Sequence, residues 1–236
     1  MKFHSFPNYE SVSQKAAQLI IALIQTKPDV LICIATGNSP KRTYELLSEY
    51  EKKHLGFFRN ISIIQLDEWI GLSEKDESSC AHFIQHQIIT PLAIQSKNVF
   101  FFNGKTEKPK IEIEKANQFL DNKGKIDLCI LGMGKNGHLG FNEPASEFSR
   151  RTHLVSLEKE TQNHSMVGGL EFKPQFGITL GMEDILNSEK VILIATGEGK
   201  KKVFKQFSAQ KIDPKIPVSA LWGHKDVICM IDESAF

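Results

Sequence analysis

The chain has 236 residues, 41% hydrophobic and 24% charged, with a formal net charge of +1. That balance is ordinary for a globular domain and gives no reason to expect disorder. A charge so near zero gives no ground for a nucleic-acid or membrane partner, although a small anion needs only a local positive pocket.

Met1-Lys2-Phe3-His4-Ser5-Phe6-Pro7 lacks the apolar core and small-residue cleavage site of a signal peptide. Residues Tyr9 to Thr26 carry Val12, Ala16, Leu19, Ile20, Leu23 and Ile24 at helical spacing, which predicts an amphipathic helix ended by Pro28-Asp29. The longest apolar run, Leu19 to Ile24, is far too short to cross a bilayer. Val30 to Ala35 is a short apolar run without polar alternation, as in a strand covered on both faces. Ser39 then suits an N-cap and Pro40 the first position of a helix that begins near Lys41. Ile61 to Leu66 and Val99 to Phe102 read as strands with a helical stretch from Cys80 to Ile89 between them. Lys110 to Leu120 is helical and Ile126 to Leu131 a strand. Val191 to Thr196 is a further strand, Lys200 to Phe207 a helix, and Val227 to Ile231 the last strand.

Repeated β-then-α order predicts an α/β fold of three layers, Rossmann-like, with a mainly parallel sheet and helices on both faces. No repeat or long Pro/Gly/Ser linker divides the chain, so residues 1–236 are expected to form one domain. The four scattered cysteines, Cys33, Cys80, Cys129 and Cys229, fit buried free thiols rather than a disulfide or zinc framework. The cytoplasm is the expected compartment.

Ligands of such sheets bind beyond the carboxyl ends of the strands, so the residues just past each strand carry the most information. Thr36-Gly37-Asn38-Ser39 leads into a helix N-terminus, where backbone N–H groups and the helix dipole favour a phosphate; an ordinary βα turn is the simpler alternative. Asp67-Glu68-Trp69 comes after the next strand. A carboxylate there can take a proton from carbon beside a carbonyl, or the pair can serve only as cap and surface charge. The densest segment is Gly132-Met133-Gly134-Lys135-Asn136-Gly137-His138-Leu139-Gly140-Phe141-Asn142-Glu143-Pro144. Its GxGxxG spacing is not a dinucleotide loop, because Asn142-Glu143-Pro144 interrupts the helix that should come next. The glycines instead give the backbone room to set His138 and Glu143 beside a ligand, and the two side chains can pair. Gly197-Glu198-Gly199-Lys200 is not a Walker A loop, and its lysine is either a second contact to phosphate or part of a solvated charge run. His82 and His86 lack the glutamate and third ligand of a zinc site, so no metal is expected.

Together these segments resemble the glucosamine-6-phosphate deaminase family, related to the 6-phosphogluconolactonases, over nearly the whole chain. Phe141-Asn142-Glu143-Pro144 is the deaminase form of the glycine-loop ending. The stretch from Ile126 to Gly140, with Gly177 to Gly181, Ile216-Pro217, Leu221-Trp222 and the short end at Phe236, is most similar to the galactosamine-6-phosphate isomerase branch. The resemblance implies a hexosamine-6-phosphate deaminase and isomerase working without metal or organic cofactor. In it His138 is the acid–base group at the ring oxygen, Asp67 carries a proton between C2 and C1, and Glu143 positions His138. Thr36, Gly37, Asn38, Ser39 and Lys200 hold the 6-phosphate. The expected reaction is galactosamine 6-phosphate to tagatose 6-phosphate plus ammonia, with glucosamine 6-phosphate as the alternative substrate. A homo-oligomer is compatible with the chain.

Three departures accompany the resemblance. Asn136 stands where the glucosamine enzymes usually carry an aspartate, so the acid–histidine relay loses one carboxylate. The arginine that completes their phosphate site falls near Val167 here, so another group must compensate or phosphate affinity must be lower. The basic residues of their allosteric site align with His153 and Val155, which predicts no activation by an acetylated sugar phosphate. Two rival readings are a lactonase, against which Asn142-Glu143-Pro144 argues, and a non-catalytic sugar-phosphate sensor. A DNA-binding sensor needs a basic helix-turn-helix, and none precedes the first helix.

Overall fold

The computed structural model describes residues 1–233, so Phe236 lies outside the described residues. In chain order the elements begin with β1 (Lys2–Phe6), α1 (Tyr9–Thr26), β2 (Leu31–Ile34), α2 (Asn38–Lys53), β3 (Ser62–Gln65), β4 (Asp67–Trp69) and α3 (Cys80–Ile84). Next come β5 (Val99–Phe100), α4 (Pro109–Lys123), β6 (Leu128–Gly132), β7 (His153–Ser156), α5 (Lys159–Gln162) and β8 (Phe176–Thr179). The chain continues through α6 (Met182–Leu186), β9 (Lys190–Ala195), α7 (Lys201–Ser208) and β10 (Val227–Asp232).

Seven strands form one parallel sheet in the order β1-β10-β9-β6-β2-β3-β5. Its inner strands, β2, β3, β6, β9 and β10, are apolar on both sides because both sides are covered. Ile32, Ile34, Ile63, Ile130, Ile192 and Met230 pack against α1 and α2 through Val12, Ile20, Tyr44 and Leu47. Their alternates, Leu31, Cys33, Ile64, Cys129, Leu193 and Cys229, pack against α4, α6 and α7 through Ala116, Leu120, Ile185 and Phe207. All four cysteines are buried and free.

Two features depart from the expected layout. The first is a second sheet, antiparallel, in the order β4-β8-β7, which stands beyond the carboxyl end of β3. Leu66 is its hinge: its N–H reaches Ile34 of the main sheet at 3.1 Å, while its carbonyl accepts from Leu180 at 2.9 Å. The second is the start of α2, which comes earlier than Lys41. Gly37, at φ +95°, occupies the cap position, and Ser39 lies within the first turn rather than capping it. Pro40 is tolerated there because first-turn N–H groups have no partner inside the helix. The predicted strand Val99 to Phe102 shortens to two residues, and β1 lies where the sequence suggested none. The helix from Cys80 continues past Ile84 as a π-helical turn, Gln85–Ile89.

Candidate active site

The carboxyl ends of β2, β3, β6 and β9 open onto one cavity of about 730 Å³. Thr36, Gly37, Asn38, Ser39, Asp67, His138 and Lys200 all line it. Asn136 and Glu143 do not; they stand behind His138.

Asp67 opens β4 and is 7% exposed. Burial pushes its carboxyl up to about 7, the neighbouring Glu68 adds to the rise, and a hydrogen bond with the Cys80 thiol partly offsets both. The next residue has a different task. Glu68 accepts from the N–H groups of Trp69 (2.8 Å), Cys80 (3.0 Å) and Ala81 (2.8 Å), from Ser79 Oγ (3.1 Å) and from Gln65 Nε2 (3.0 Å). It therefore pins the N-terminus of α3 to β4, a structural role that uses up its acceptor sites. Gln65 completes the brace, donating to the Asp67 carbonyl at 2.7 Å and accepting from Phe102 at 2.9 Å.

On the glycine loop, His138 Nδ1 lies 3.4 Å from Glu143 Oε2 and 3.4 Å from Thr161 Oγ1. Both contacts are long for hydrogen bonds. Burial alone would raise the Glu143 carboxyl, but His138, Thr161 and Asn136 more than offset it and hold it below the usual range. Asn136 Nδ2 donates to Glu143 Oε2 at 3.0 Å, and its Oδ1 accepts from the His138 N–H at 3.1 Å. A carboxylate can only accept, so it must face the amide's NH₂ side. Gly134 is required by close approach: a Cβ at that position would overlap the His138 imidazole.

The third group is cationic. Lys200 Nζ donates to Ser39 Oγ at 3.3 Å, and Thr196 Oγ1 donates to the same atom at 2.9 Å. This ties the β9 loop to the first turn of α2, with the free N–H groups of that turn at the cavity edge. Burial lowers the Lys200 ammonium to about 8, and Lys135 adds to the fall.

Several cavity residues escape the sequence reading: Lys135, Thr161, His164 and Cys80. Thr161 and His164 lie beyond the glycine loop, in a segment with no strand periodicity, and only their position in space marks them. Val167, where the resemblance places an arginine, is fully buried and packs with Trp69, Phe141 and Leu157. His224 is structural: its Nδ1 accepts from Asp226 N–H at 3.0 Å, so its Nε2 donates to the Ser188 carbonyl at 2.9 Å. His82 and His86 stack on one another, each with Nδ1 against a nearby carbonyl. No cluster of three or more His, Cys, Asp or Glu able to hold a metal occurs among the described residues. No helix among them is long and apolar enough to cross a membrane.

Residues 8–229 match the family of glucosamine-6-phosphate isomerases and 6-phosphogluconolactonase. AgaI of Escherichia coli (strain K12), named a deaminase, is 37% identical over 95% of this chain and 89% of its own. A glucosamine-6-phosphate deaminase of Geobacillus sp. (strain WCH70) is 33% identical over 100% of this chain and 94% of its own. A solved monomeric glucosamine-6-phosphate deaminase superposes with a TM-score of 0.95 at 32% identity, covering 100% of this chain and 98% of that one. The 6-phosphogluconolactonase of Leishmania guyanensis shares the fold at a TM-score of 0.79 and 20% identity, covering 99% of this chain and 97% of that one. The chain belongs to the glucosamine-6-phosphate isomerase/6-phosphogluconolactonase family.

Proposed function

We propose that this chain deaminates and isomerises a hexosamine 6-phosphate, with galactosamine 6-phosphate as substrate and tagatose 6-phosphate and ammonia as products. The observation that carries the reading is one cavity faced by a buried carboxylate poised near neutrality, an imidazole with its own carboxylate, and a cation beside a helix N-terminus.

Each group has one task. The 6-phosphate lies on the first turn of α2, from Thr36 to Ser39, with Lys200 against it. His138, oriented by Glu143 and Thr161, gives a proton to the ring oxygen as the sugar opens. Asp67 takes the proton from C2 and returns it to C1. An acid with a pKa of about 7 suits both halves, since it is ionised often enough to accept and acidic enough to give back. That transfer leaves an imine at C2; water adds to it, and the C2–N bond then breaks as ammonia departs, leaving the ketone. Asn136 and Glu143 act through His138, as positioning residues.

The galacto preference is supported by the resemblance running from Ile126 to Gly140 and again around Gly177 to Gly181. Discrimination at one hydroxyl can reach several powers of ten when a polar group meets it. The test is kcat/KM for both epimers, with ammonia and ketose measured together. Preference for glucosamine 6-phosphate overturns the epimer and keeps the reaction; no ammonia from either overturns both. A smaller cavity of about 230 Å³ beside Glu143 is lined by His153, Val155, Glu147 and Glu158 and by no lysine or arginine. It supports an enzyme without an anionic activator at that place.

A further inference from the structure

We infer that Lys135 is the second cation on the substrate phosphate, reaching from the β6 loop to meet Lys200 from the β9 loop. The inference rests on the reading of the cavity as a sugar-phosphate site.

Lys135 and Lys200 line the same end of the cavity, and neither has an ion-pair partner among the described residues. Two unpaired ammonium groups close enough to repel one another are a poor arrangement for an empty pocket and a good one for a dianion. The effect is visible in Lys200, whose proton affinity falls first through burial and then through Lys135. The stem of Lys135 is exposed but rests against the neighbouring loop. It lies along Gly199, where an added Cβ would come within 3.3 Å of Lys135 Cε and 3.8 Å of its Nζ. Gly199 has φ +83°, so the turn that brings Lys200 to Ser39 also presents a bare backbone for Lys135 to rest on. The two loops thus close on the anion site from the ends of β6 and β9, which are neighbours in the sheet.

The place of the absent arginine sharpens the inference. Val167 is 0% exposed and its side chain is spent on the small cluster under β4, so no cation reaches the phosphate from that position. A cation offered from the glycine loop supplies the missing charge by another route.

The test uses the full chain with Lys135→Gln, Lys135→Arg and the control Lys202→Gln. Charge-assisted contacts of this kind are worth about tenfold in affinity when partly exposed. Lys135→Gln should raise KM for the hexosamine phosphate about tenfold while kcat changes less than about twofold. It should weaken inorganic phosphate, measured by calorimetry, by a similar factor. Lys135→Arg should restore most of both, and Lys202→Gln should change neither. Unaltered KM and phosphate affinity in Lys135→Gln overturn the inference, as does a loss confined to kcat. Failure of the functional reading is separate. Should the wild type release no ammonia, weaker phosphate binding in Lys135→Gln still upholds the cation pair, and equal binding overturns it.

Discussion

Asp67 and Glu143 are both carboxylates turned away from solvent, one at the cavity wall and one behind His138, yet the protein drives them in opposite directions. Asp67 meets apolar surroundings, a thiol and another carboxylate, and its proton is held to about pH 7. Glu143 meets an imidazole, a threonine and an amide, and its proton is lost below the ordinary range. Burial raises both, more completely at Asp67, and what each oxygen faces then decides the direction at Glu143. A carboxylate left short of donors becomes a base near neutrality, and one supplied with them becomes a fixed negative charge that steers its neighbour.

The largest break in this contrast is Asp67→Asn. Exchange of the C2 proton with deuterated solvent should fall by on the order of 10⁴-fold, the upper range for a positioned base. Exchange at the wild-type rate would remove Asp67 from the reaction. In the wild type, kcat/KM should rise through about pH 7 as Asp67 ionises, on one limb of the profile. His138→Gln comes next, with turnover of ring sugar slowed by about a hundredfold. Normal turnover there would make the loop structural.

Glu143→Gln should do less, about tenfold, because it acts through His138. The same pair of acids predicts opposite stability profiles, which separate charge from packing. A carboxyl raised in the native state loses stability as pH climbs from about 4 to about 7, since the native state binds more protons across that window. Asp67→Asn escapes the loss, so its Tm relative to wild type should climb over that range and level off above it. A carboxyl lowered in the native state contributes stability above its unfolded pKa and loses it as pH falls. Glu143→Gln should therefore be the less stable protein at pH 7, with the gap closing in acid. Thermal scans at about pH 4 and pH 7 check both, and parallel shifts would defeat the electrostatic account. The smallest effect belongs to Asn136→Asp, which replaces the donor facing Glu143 by a second acceptor. It should displace the pH–rate profile rather than abolish activity, and an unmoved profile would mean that Asn136 only shapes the loop.

The sheet is legible in the sequence because its strands advertise burial on both faces: runs such as Val191 to Ala195 have no polar alternation, and helical periodicity stands between them. Asp67, His138 and Lys200 are legible because they stand just past such runs. The roles within Asp67-Glu68 are not, since two adjacent acids look alike until one is seen to accept five donors. Ser39 reads wrongly as a helix cap for a similar reason. Its hydroxyl does make contacts, but to Thr196 and Lys200, partners far away in sequence. The small antiparallel sheet stays hidden because His153–Ser156 and Phe176–Thr179 are short and partly exposed, and the pairing of β8 with both β4 and β7 is non-local. Lys135 has no signature of its own in a glycine loop, and its meaning depends on a neighbour that only the fold supplies.

The pairing of β1 with β10 has a consequence for how the chain is made. Lys2 to Phe6 leaves the ribosome ahead of every other strand of the sheet, and its partner, Val227 to Asp232, follows all of them. Until β10 is made, β1 has no partner strand. The helix behind it, α1, meets the same delay, because it packs on Met230 as well as on earlier strands. Contacts of such span close late and slowly. Meanwhile β10, until β1 docks, presents an open strand edge to any neighbouring chain. The charged and aromatic outer residues of β1, Lys2, Phe3 and His4, then become the cover of that edge.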